Sequence, residues 1–264
     1  MNEEVIRVLD FPENVRAKWG MYIDSANSCL REILDNATDE SFSCKSCDNI
    51  VIDTNLNGYN LVADNGRGIP IGMSIDRPGQ TQADVSISVL HSGSKFVSSG
   101  TATVGTHGVG SACANALSER YILMSKITKD NWDKSIQAVA DLWNSKGPRS
   151  RGNLYYYVEY RGGYKVSEGA SGLPELEAYL FKDVDPKGYR SIPEGYSTIV
   201  LFKPDPAIWG KSCKTELPLQ NIRNFLLIQE KFYQRKVTVI ANGEVLTGSG
   251  FVPYQYEILR TIVP

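Results

Sequence analysis

Residues 32–40 read EILDNATDE and residues 64–70 read DNGRGIP, and the rest of the chain can be read outward from these two stretches. The first lies in an amphipathic helix predicted from 29 to 40, with Asn27 or Ser28 available as its N-cap. Apolar residues recur at helical spacing along this helix: Leu30, Ile33, Leu34 and Ala37. The second stretch directly follows an extended run, so it is predicted to form the turn at the end of a strand.

Helical and extended patterns alternate through the rest of the chain. Runs at 50–54 and 59–63 predict a hairpin, because Asn57 and Gly58 between them suit a tight turn. A loop rich in Gly, Ser and Thr covers 92–107. Further helices are predicted at 82–91, 108–118, 173–181 and 218–233, and further strands at 121–127, 154–160, 198–202 and 237–240. We find no internal repeat or domain linker, so the alternation predicts one α+β domain.

Composition excludes several classes of protein. The chain has 264 residues, 42% of them hydrophobic, and a formal net charge of −2, which argues against a surface that binds nucleic acid throughout. No membrane-spanning apolar run and no signal peptide are present in the sequence, which predicts a cytoplasmic protein without a membrane partner. Two histidines leave little material for a histidine-rich metal centre or a Ser/His/Asp triad. Cys44 and Cys47 form a CxxC without a second pair, so we interpret this motif as chance.

Glu32 and Asn36 share one face of the first helix because they are four residues apart, and Glu40 follows further along it. A carboxylate beside a carboxamide suits phosphate chemistry. The carboxylate can orient and deprotonate a water, and the amide oxygen can hold Mg²⁺. A solvated helix face is the alternative, and the helix taken alone favours it.

Two glycine-rich stretches predict backbone that a ligand can approach. In the first, Gly66 and Gly68 open the turn, and Asp64 offers an acceptor to an exocyclic amine; an ordinary Asn-Gly turn is the alternative. Ile71 stands where a dinucleotide-binding fingerprint needs glycine. The second stretch, GTHGVG at 105–110, opens a helix whose N-terminal amides suit phosphate. A P-loop is excluded, because the GKS at 210–212 has Asp205 where that motif needs its first glycine.

The order and spacing of these motifs closely resemble one family, the Bergerat-fold ATPases. Within it the chain resembles the ATP-binding domain of type IIA DNA topoisomerases of the gyrase B kind, including divergent or phage-encoded ones. Six stretches carry the resemblance: 15–23 (VRAKWGMYI), 32–40, 64–70, 89–96 (VLHSGSKF), 104–110 (VGTHGVG) and 196–202 (YSTIVLF). It implies a two-layer α+β sandwich over 1–264, with a mostly antiparallel mixed sheet and helices on one face.

The resemblance also implies roles for individual residues. Glu32 would be the general base, Asn36 the Mg²⁺ ligand, and Asp64 the adenine reader. Thr198 would join Asp64 through an ordered water. Arg67 would lie at the pocket rim, and the apolar walls would be Ile33, Val62, Ile69 and Val200. The nucleotide would also be bound by Glu40, Gly68, Ile69 and Pro70. The triphosphate would contact Lys95, Gly105, Thr106, His107, Gly108, Val109 and Gly110.

The implied function is ATP hydrolysis, with ATP and Mg²⁺ as cofactors, at the gate of a type II topoisomerase. ATP binding would close the lid and drive homodimerisation through an N-terminal arm, residues 1–14. DNA would be bound through the full-length enzyme, together with a DNA-cleavage subunit or domain, in the cytoplasm or in a host cytoplasm. Because the family's transducer domain supplies a further lysine and is absent from this sequence, we expect slow hydrolysis and a monomer without nucleotide. A mismatch-repair or chaperone ATPase and a non-catalytic, nucleotide-gated binding module are the alternatives.

Three features depart from the family pattern. Ser28 stands where gyrase-like proteins usually carry a histidine, one turn before the base, and Trp19 replaces a proline. The segment 144–195 is interpreted as an elaboration. Its tyrosines and arginines are interpreted as a strand pair packed on a sheet rather than as a nucleic-acid surface. These are Tyr155, Tyr156, Tyr157, Tyr160, Arg149, Arg151 and Arg161.

Overall fold

A computed structural model describes residues 8–92, 108–132, 134–147, 150–184 and 195–246. Its helices are α1 (Glu13–Ala17), α2 (Ala26–Ser43), α3 (Gln82–Ser88), α4 (Gly110–Ala116), α5 (Gln137–Ser145), α6 (Leu173–Leu180), α7 (Pro206–Trp209) and α8 (Leu219–Lys231). Its strands are β1 (Asn49–Leu56), β2 (Tyr59–Asp64), β3 (Ser118–Lys126), β4 (Leu154–Arg161), β5 (Tyr164–Gly172), β6 (Thr198–Pro204), β7 (Thr238–Ala241) and β8 (Glu244–Leu246). None of the described helices is both long and apolar enough to cross a membrane.

The strands form one mixed sheet in the order β5-β4-β3-β6-β2-β1-β7-β8. Neighbouring strands pair antiparallel except for β1 and β7, which run parallel. Strand β7 is followed by β8, so the strand predicted at 237–240 is not the last one described. The predicted α+β fold with a mostly antiparallel mixed sheet is confirmed.

Side chains alternate between the two faces of the sheet, as the period of a strand requires. On β6, Val200 and Phe202 join the core beneath α2, α3, α4 and α8, while Ile199 and Leu201 face the opposite side. A second, smaller core lies on that opposite side. It is closed by α6, which contributes Leu173, Leu176 and Leu180. The main layer of helices therefore covers one face as predicted, and α6 is an addition on the other.

The segment 144–195 supplies β4 and β5 to the sheet. Four of its tyrosines are core residues, since Tyr155, Tyr156 and Tyr160 are buried and Tyr157 is half-buried. Their rings point alternately into the two cores, as the strand-pair interpretation predicts. Arg149 and residues 185–194 lie outside the described part of the chain, as do residues 1–7 of the predicted N-terminal arm.

Local chemistry explains where elements begin and end. The turn between β1 and β2 has Asn57 and Gly58 at φ of 54° and 82°, the left-handed conformations that an Asn-Gly hairpin turn adopts. The predicted N-cap of α2, Asn27 or Ser28, is wrong. Ser25 is the cap, because its backbone is extended and its Oγ accepts the Ser28 amide at 3.2 Å.

The helices around the glycine-rich loop are shorter than predicted. Helix α3 ends at Ser88 rather than at 91, and His91 has a left-handed φ of 59° that a helix cannot continue through. Helix α4 spans Gly110–Ala116, and Ser118 already belongs to β3. Tertiary pairing of β3 with β4 and β6 thus overrides the helical periodicity at 117–118.

Candidate active site

Glu32 lies on α2 with its carboxylate against the first residue of α4. A Cβ built on Gly110 would lie 1.9 Å from Glu32 Oε2 and 2.7 Å from its Cδ. No side chain larger than that of glycine fits there without moving Glu32 or the helix. The sequence-predicted base and the last glycine of the predicted phosphate loop are thus in direct contact.

Asn36, one turn further along α2, is held by α4 as well. Its Nδ2 donates to Ser111 Oγ at 2.8 Å. This bond turns the amide nitrogen toward Ser111, so the carboxamide oxygen is the atom directed away from it. Ser111 was not predicted from the sequence, although its place directly after the GVG of the glycine-rich stretch was a usable signal.

Asp64 ends β2 and is almost completely buried. Its Oδ1 accepts the Gly66 amide at 2.9 Å. Thr198 is its partner across the β2–β6 pair, and hydrogen bonding from the Thr198 side chain favours the ionised carboxyl. Burial raises the pKa of Asp64 to about 7, against the opposing effect of these hydrogen bonds.

Glu40 and Arg67 form a bidentate ion pair at the rim beside Asp64. Arg67 donates to Glu40 from Nε and Nη2, both at 2.8 Å, and its backbone amide donates at 2.9 Å. Burial opposes ionisation of Glu40, but the hydrogen bonds from Arg67 outweigh it, so the pKa of this carboxyl is lowered. A Cβ on Gly66 would lie 2.4 Å from Glu40 Cγ, so only glycine fits between these groups.

The end of the DNGRGIP turn is fastened to β3. Gly68 has a left-handed φ of 78°. Ser125 on β3 accepts the Ile69 amide at 2.9 Å and donates to the Ile69 carbonyl at 2.7 Å. Pro70 is exposed at the surface. The turn is therefore held in place by a neighbouring strand as well as by α2.

The residues predicted to form the apolar walls lie on the helix-covered face of the sheet. Val62 and Val200 are directly opposed on β2 and β6, and Ile33 lies in the same core. All three are buried, and Ile69 packs against them partly exposed.

Part of the predicted phosphate loop lies outside the described residues: Lys95, Gly105, Thr106 and His107. Of the remainder, Gly108 is exposed with a φ of 62°, and Val109 is the N-cap residue of α4.

The Ser28 side chain is hydrogen-bonded to neighbouring residues at the start of α2. Its Oγ donates to Asp24 and accepts from Arg31 Nη2 at 2.9 Å.

No protein-family model matches the chain. Curated relatives do match. The B subunit of DNA topoisomerase 4 from Bartonella bacilliformis is 35% identical over 163 residues, which are 56% of this chain and 23% of that protein. The B subunit of DNA gyrase from Halalkalibacterium halodurans is 40% identical over 123 residues, 44% of this chain and 19% of that protein. Over about half its length the chain is a homologue of type II topoisomerase B subunits. The matched stretch spans only about a fifth of the length of these relatives.

Two solved structures are similar to nearly the whole chain. The 43K ATPase domain of Thermus thermophilus gyrase B, in complex with an aminocoumarin, covers 93% of this chain with a TM-score of 0.57 at 22% identity. That likeness covers 54% of the gyrase chain. The ATPase region of Saccharomyces cerevisiae topoisomerase II, bound to dexrazoxane, covers 91% with a TM-score of 0.61 at 16% identity, and 61% of that chain is matched. At these identities the comparison establishes the fold alone, which this chain shares with those two ATPase domains.

Proposed function

We propose that this chain is the ATP-binding and ATP-hydrolysing gate domain of a type II DNA topoisomerase. The observation that carries the proposal is that two carboxylates on α2, Glu32 and Glu40, contact different parts of the site. Glu32 and Glu40 are eight residues apart on this helix, which corresponds to about 12 Å. Glu32 contacts α4, whereas Glu40 contacts the turn that follows the buried Asp64. One elongated ligand, with a hydrogen-bonding base at one end and phosphates at the other, suits this arrangement.

At the base end, Asp64 accepts a hydrogen bond from the exocyclic amine of adenine. Thr198 and the Gly66 amide orient the carboxyl, and the Arg67–Glu40 pair forms the rim. The apolar side chains Ile33, Val62 and Val200 lie in the core on the same face of the sheet. The similarity in fold to the ATPase domain of gyrase B and the ATPase region of topoisomerase II supports ATP as the ligand.

At the phosphate end, Glu32 orients a water and accepts its proton. Asn36 offers its amide oxygen to Mg²⁺, because Ser111 holds the amide nitrogen. This single protein ligand fits the cation, since Mg²⁺ on nucleotides takes few protein oxygens and completes its shell with phosphates and water. Bound Mg²⁺ would neutralise charge on the phosphates. Lys95, Gly105, Thr106, His107, Gly108, Val109 and Gly110 would contact the triphosphate.

For the whole protein we infer the partners of the topoisomerase relatives. ATP binding drives homodimerisation through residues 1–14, and a DNA segment is captured and passed with the help of a DNA-cleavage subunit. The cytoplasm is the expected compartment.

The test is calorimetric titration of a non-hydrolysable ATP analogue with Mg²⁺, followed by single-turnover hydrolysis of ATP. Glu32→Gln should bind the analogue like the wild type and hydrolyse ATP at least about 100-fold more slowly, the contribution of a general base. Glu230→Gln, an exposed change on α8, is the control. Equal rates in wild type and Glu32→Gln would favour the non-catalytic binding module, and no binding by the wild type would reject the proposal.

Gly110→Ala supplies a second variant that leaves the carboxylate intact. Its methyl group would displace Glu32, so we expect the hydrolysis rate to fall by a similar factor. Gly152→Ala is the matched control, because an added Cβ there meets no atom within 4 Å. Unchanged hydrolysis in Gly110→Ala would argue against Glu32 as the base.

A further inference from the structure

Asp84 is a fully buried carboxylate on α3 that the proposed chemistry does not use. The Tyr160 hydroxyl donates to its Oδ1, and Lys165 Nζ donates to its Oδ2 at 2.9 Å. Tyr160 belongs to β4 and Lys165 to β5. Burial raises the pKa of Asp84, and the Lys165 hydrogen bond opposes this rise.

More contacts fasten the same end of α3 to the same strands. Thr81 caps the helix by accepting the Asp84 amide at 3.1 Å, and its Oγ1 lies 3.2 Å from the Tyr156 hydroxyl. Tyr156 in turn donates to Glu168 at 2.8 Å, and Lys165 lies 3.3 Å from that carboxylate. The start of α3 is therefore tied to β4 and β5 by a network of charged and hydroxyl groups.

The other end of α3 is tied to α4. Asn115, buried on α4, donates from Nδ2 to the Ile87 carbonyl at 2.7 Å. Helix α4 begins with Gly110 against Glu32 and with Ser111 bonded to Asn36. A continuous series of contacts among described residues thus leads from β5 through α3 and α4 to the two polar side chains of α2.

We propose that Lys165 and Asp84 are positioning residues for the active site. The ion pair fixes α3, α3 fixes α4 through Asn115, and α4 keeps Glu32 and Asn36 in their arrangement. Without Lys165, the Asp84 carboxylate would stay buried with one partner fewer, so α3 would shift to admit water or α4 would loosen. Nucleotide affinity at the Asp64 end would be spared, because Asp64 is held by β2, β6 and its own turn. The effect on catalysis rests on the proposed function, whereas the linkage to α4 does not.

The test uses Lys165→Met, with Lys165→Arg as the conservative rescue. Lys165 is one-third exposed, so the variant should fold. The matched control is Glu159→Gln, which breaks a buried pair with Arg120 at 2.8 Å on the opposite face of the sheet. Three quantities are measured: amide hydrogen exchange of α4, the dissociation constant of an ATP analogue, and the single-turnover rate.

In Lys165→Met we expect α4 amides to exchange roughly ten-fold faster and hydrolysis to fall roughly five-fold or more, with a smaller loss of analogue affinity because the Asp64 end is spared. Lys165→Arg should restore both exchange and rate. Glu159→Gln should lower thermal stability and leave α4 exchange and the rate unchanged.

Unchanged α4 exchange in Lys165→Met would overturn the linkage. Equal losses of rate in Lys165→Met and Glu159→Gln would reduce the pair to ordinary stabilisation and overturn its positioning role. If α4 exchange changes in a protein whose wild type hydrolyses no ATP, the linkage stands and the proposed function fails.

Discussion

Asp64 and Glu40 both contact Gly66, yet their surroundings shift the pKa values of the two carboxyl groups in opposite directions. Glu40 is half-buried and meets a guanidinium, so its pKa is lowered. Asp64 is buried with only neutral donors, so its pKa rises to about 7. Two acidic residues of one site are thereby assigned different tasks: Glu40 is a permanent anion that holds Arg67, and Asp64 is an acceptor that titrates near neutrality.

The first prediction concerns the pH dependence of nucleotide binding. The ionised form of Asp64 is the stronger acceptor for the adenine amine, so affinity should decrease as pH falls through 7, by up to about ten-fold per pH unit. Calorimetry with an ATP analogue from about pH 8 to pH 6 at saturating Mg²⁺, which keeps the phosphates ionised, measures this slope. Asp76→Asn, an exposed change, should reproduce the wild-type slope.

The same shift makes a statement about the free protein. Because the folded-state pKa of Asp64 lies above its ordinary value, its contribution to stability is present at low pH and is lost as pH rises through about 7. Asp64→Asn should therefore melt at a higher temperature than the wild type at about pH 8 and bind no analogue, with the difference in melting temperature shrinking toward acid pH. If Asp64→Asn and the wild type melted at the same temperature both at about pH 8 and at acid pH, Asp64 would not be a buried carboxyl that titrates near neutrality.

At the scale of elements, α2 positions the site because it is held at both ends. Ser25 caps its start, and Arg235 holds its end by donating to four carbonyl groups. The acceptors are Ser41, Cys44 at 3.4 Å, Lys45 at 2.9 Å and Cys47 at 3.1 Å. The CxxC of the sequence thus supplies two of the backbone acceptors for Arg235.

We predict that Arg235→Met lowers the free energy of unfolding by about 1.5–3 kcal/mol, the range for hydrogen bonds to a charged group. The end of α2 carries Glu40, so analogue affinity should weaken modestly as well. Denaturant unfolding and calorimetry measure the two effects. Lys236→Met, next to it and exposed, should change neither. A loss of stability below about 0.5 kcal/mol would mean that water replaces the guanidinium at these carbonyls.

At the scale of the whole molecule, the sheet separates two cores. The larger one lies beneath α2 and α4 and adjoins the site, while the smaller one lies beneath α6 on the far side. A buried ion pair of Arg120 and Glu159 belongs to the far side, where Arg120 also donates to the Leu180 carbonyl at 2.7 Å.

Leu176→Ala, on α6, should therefore lower the free energy of unfolding by about 2–5 kcal/mol, as cavity-forming changes do, and leave analogue affinity unchanged at temperatures where the variant is folded. Leu30→Ala, equally buried on α2, should lower both. Thermal unfolding and calorimetry on the two variants test this separation. An affinity loss in Leu176→Ala would show that the two cores are coupled through the sheet.

The main features of the fold follow from local sequence patterns. Apolar spacing predicts α2 and the Asn-Gly pair predicts the β1–β2 turn, because period and turn chemistry act over a few residues. The resemblance of the motifs to a known family implied Glu32, Asn36 and Asp64 as site residues. The predicted helix ends were less accurate, because the extended backbone of Ser25 and the left-handed backbone of His91 do not follow from residue propensities.

Contacts between residues distant in the chain depend on how the helices and strands pack. The Gly110 backbone pressed against Glu32, Ser111 bonded to Asn36, and Lys165 paired with Asp84 join positions separated by 75 or more residues. Burial, which raises the pKa of Asp64, likewise depends on the packed sheet. Local sequence patterns specify which chemical groups are present and which helices, strands and turns carry them. Packing decided which of these groups meet, because contact and desolvation are properties of the folded chain as a whole.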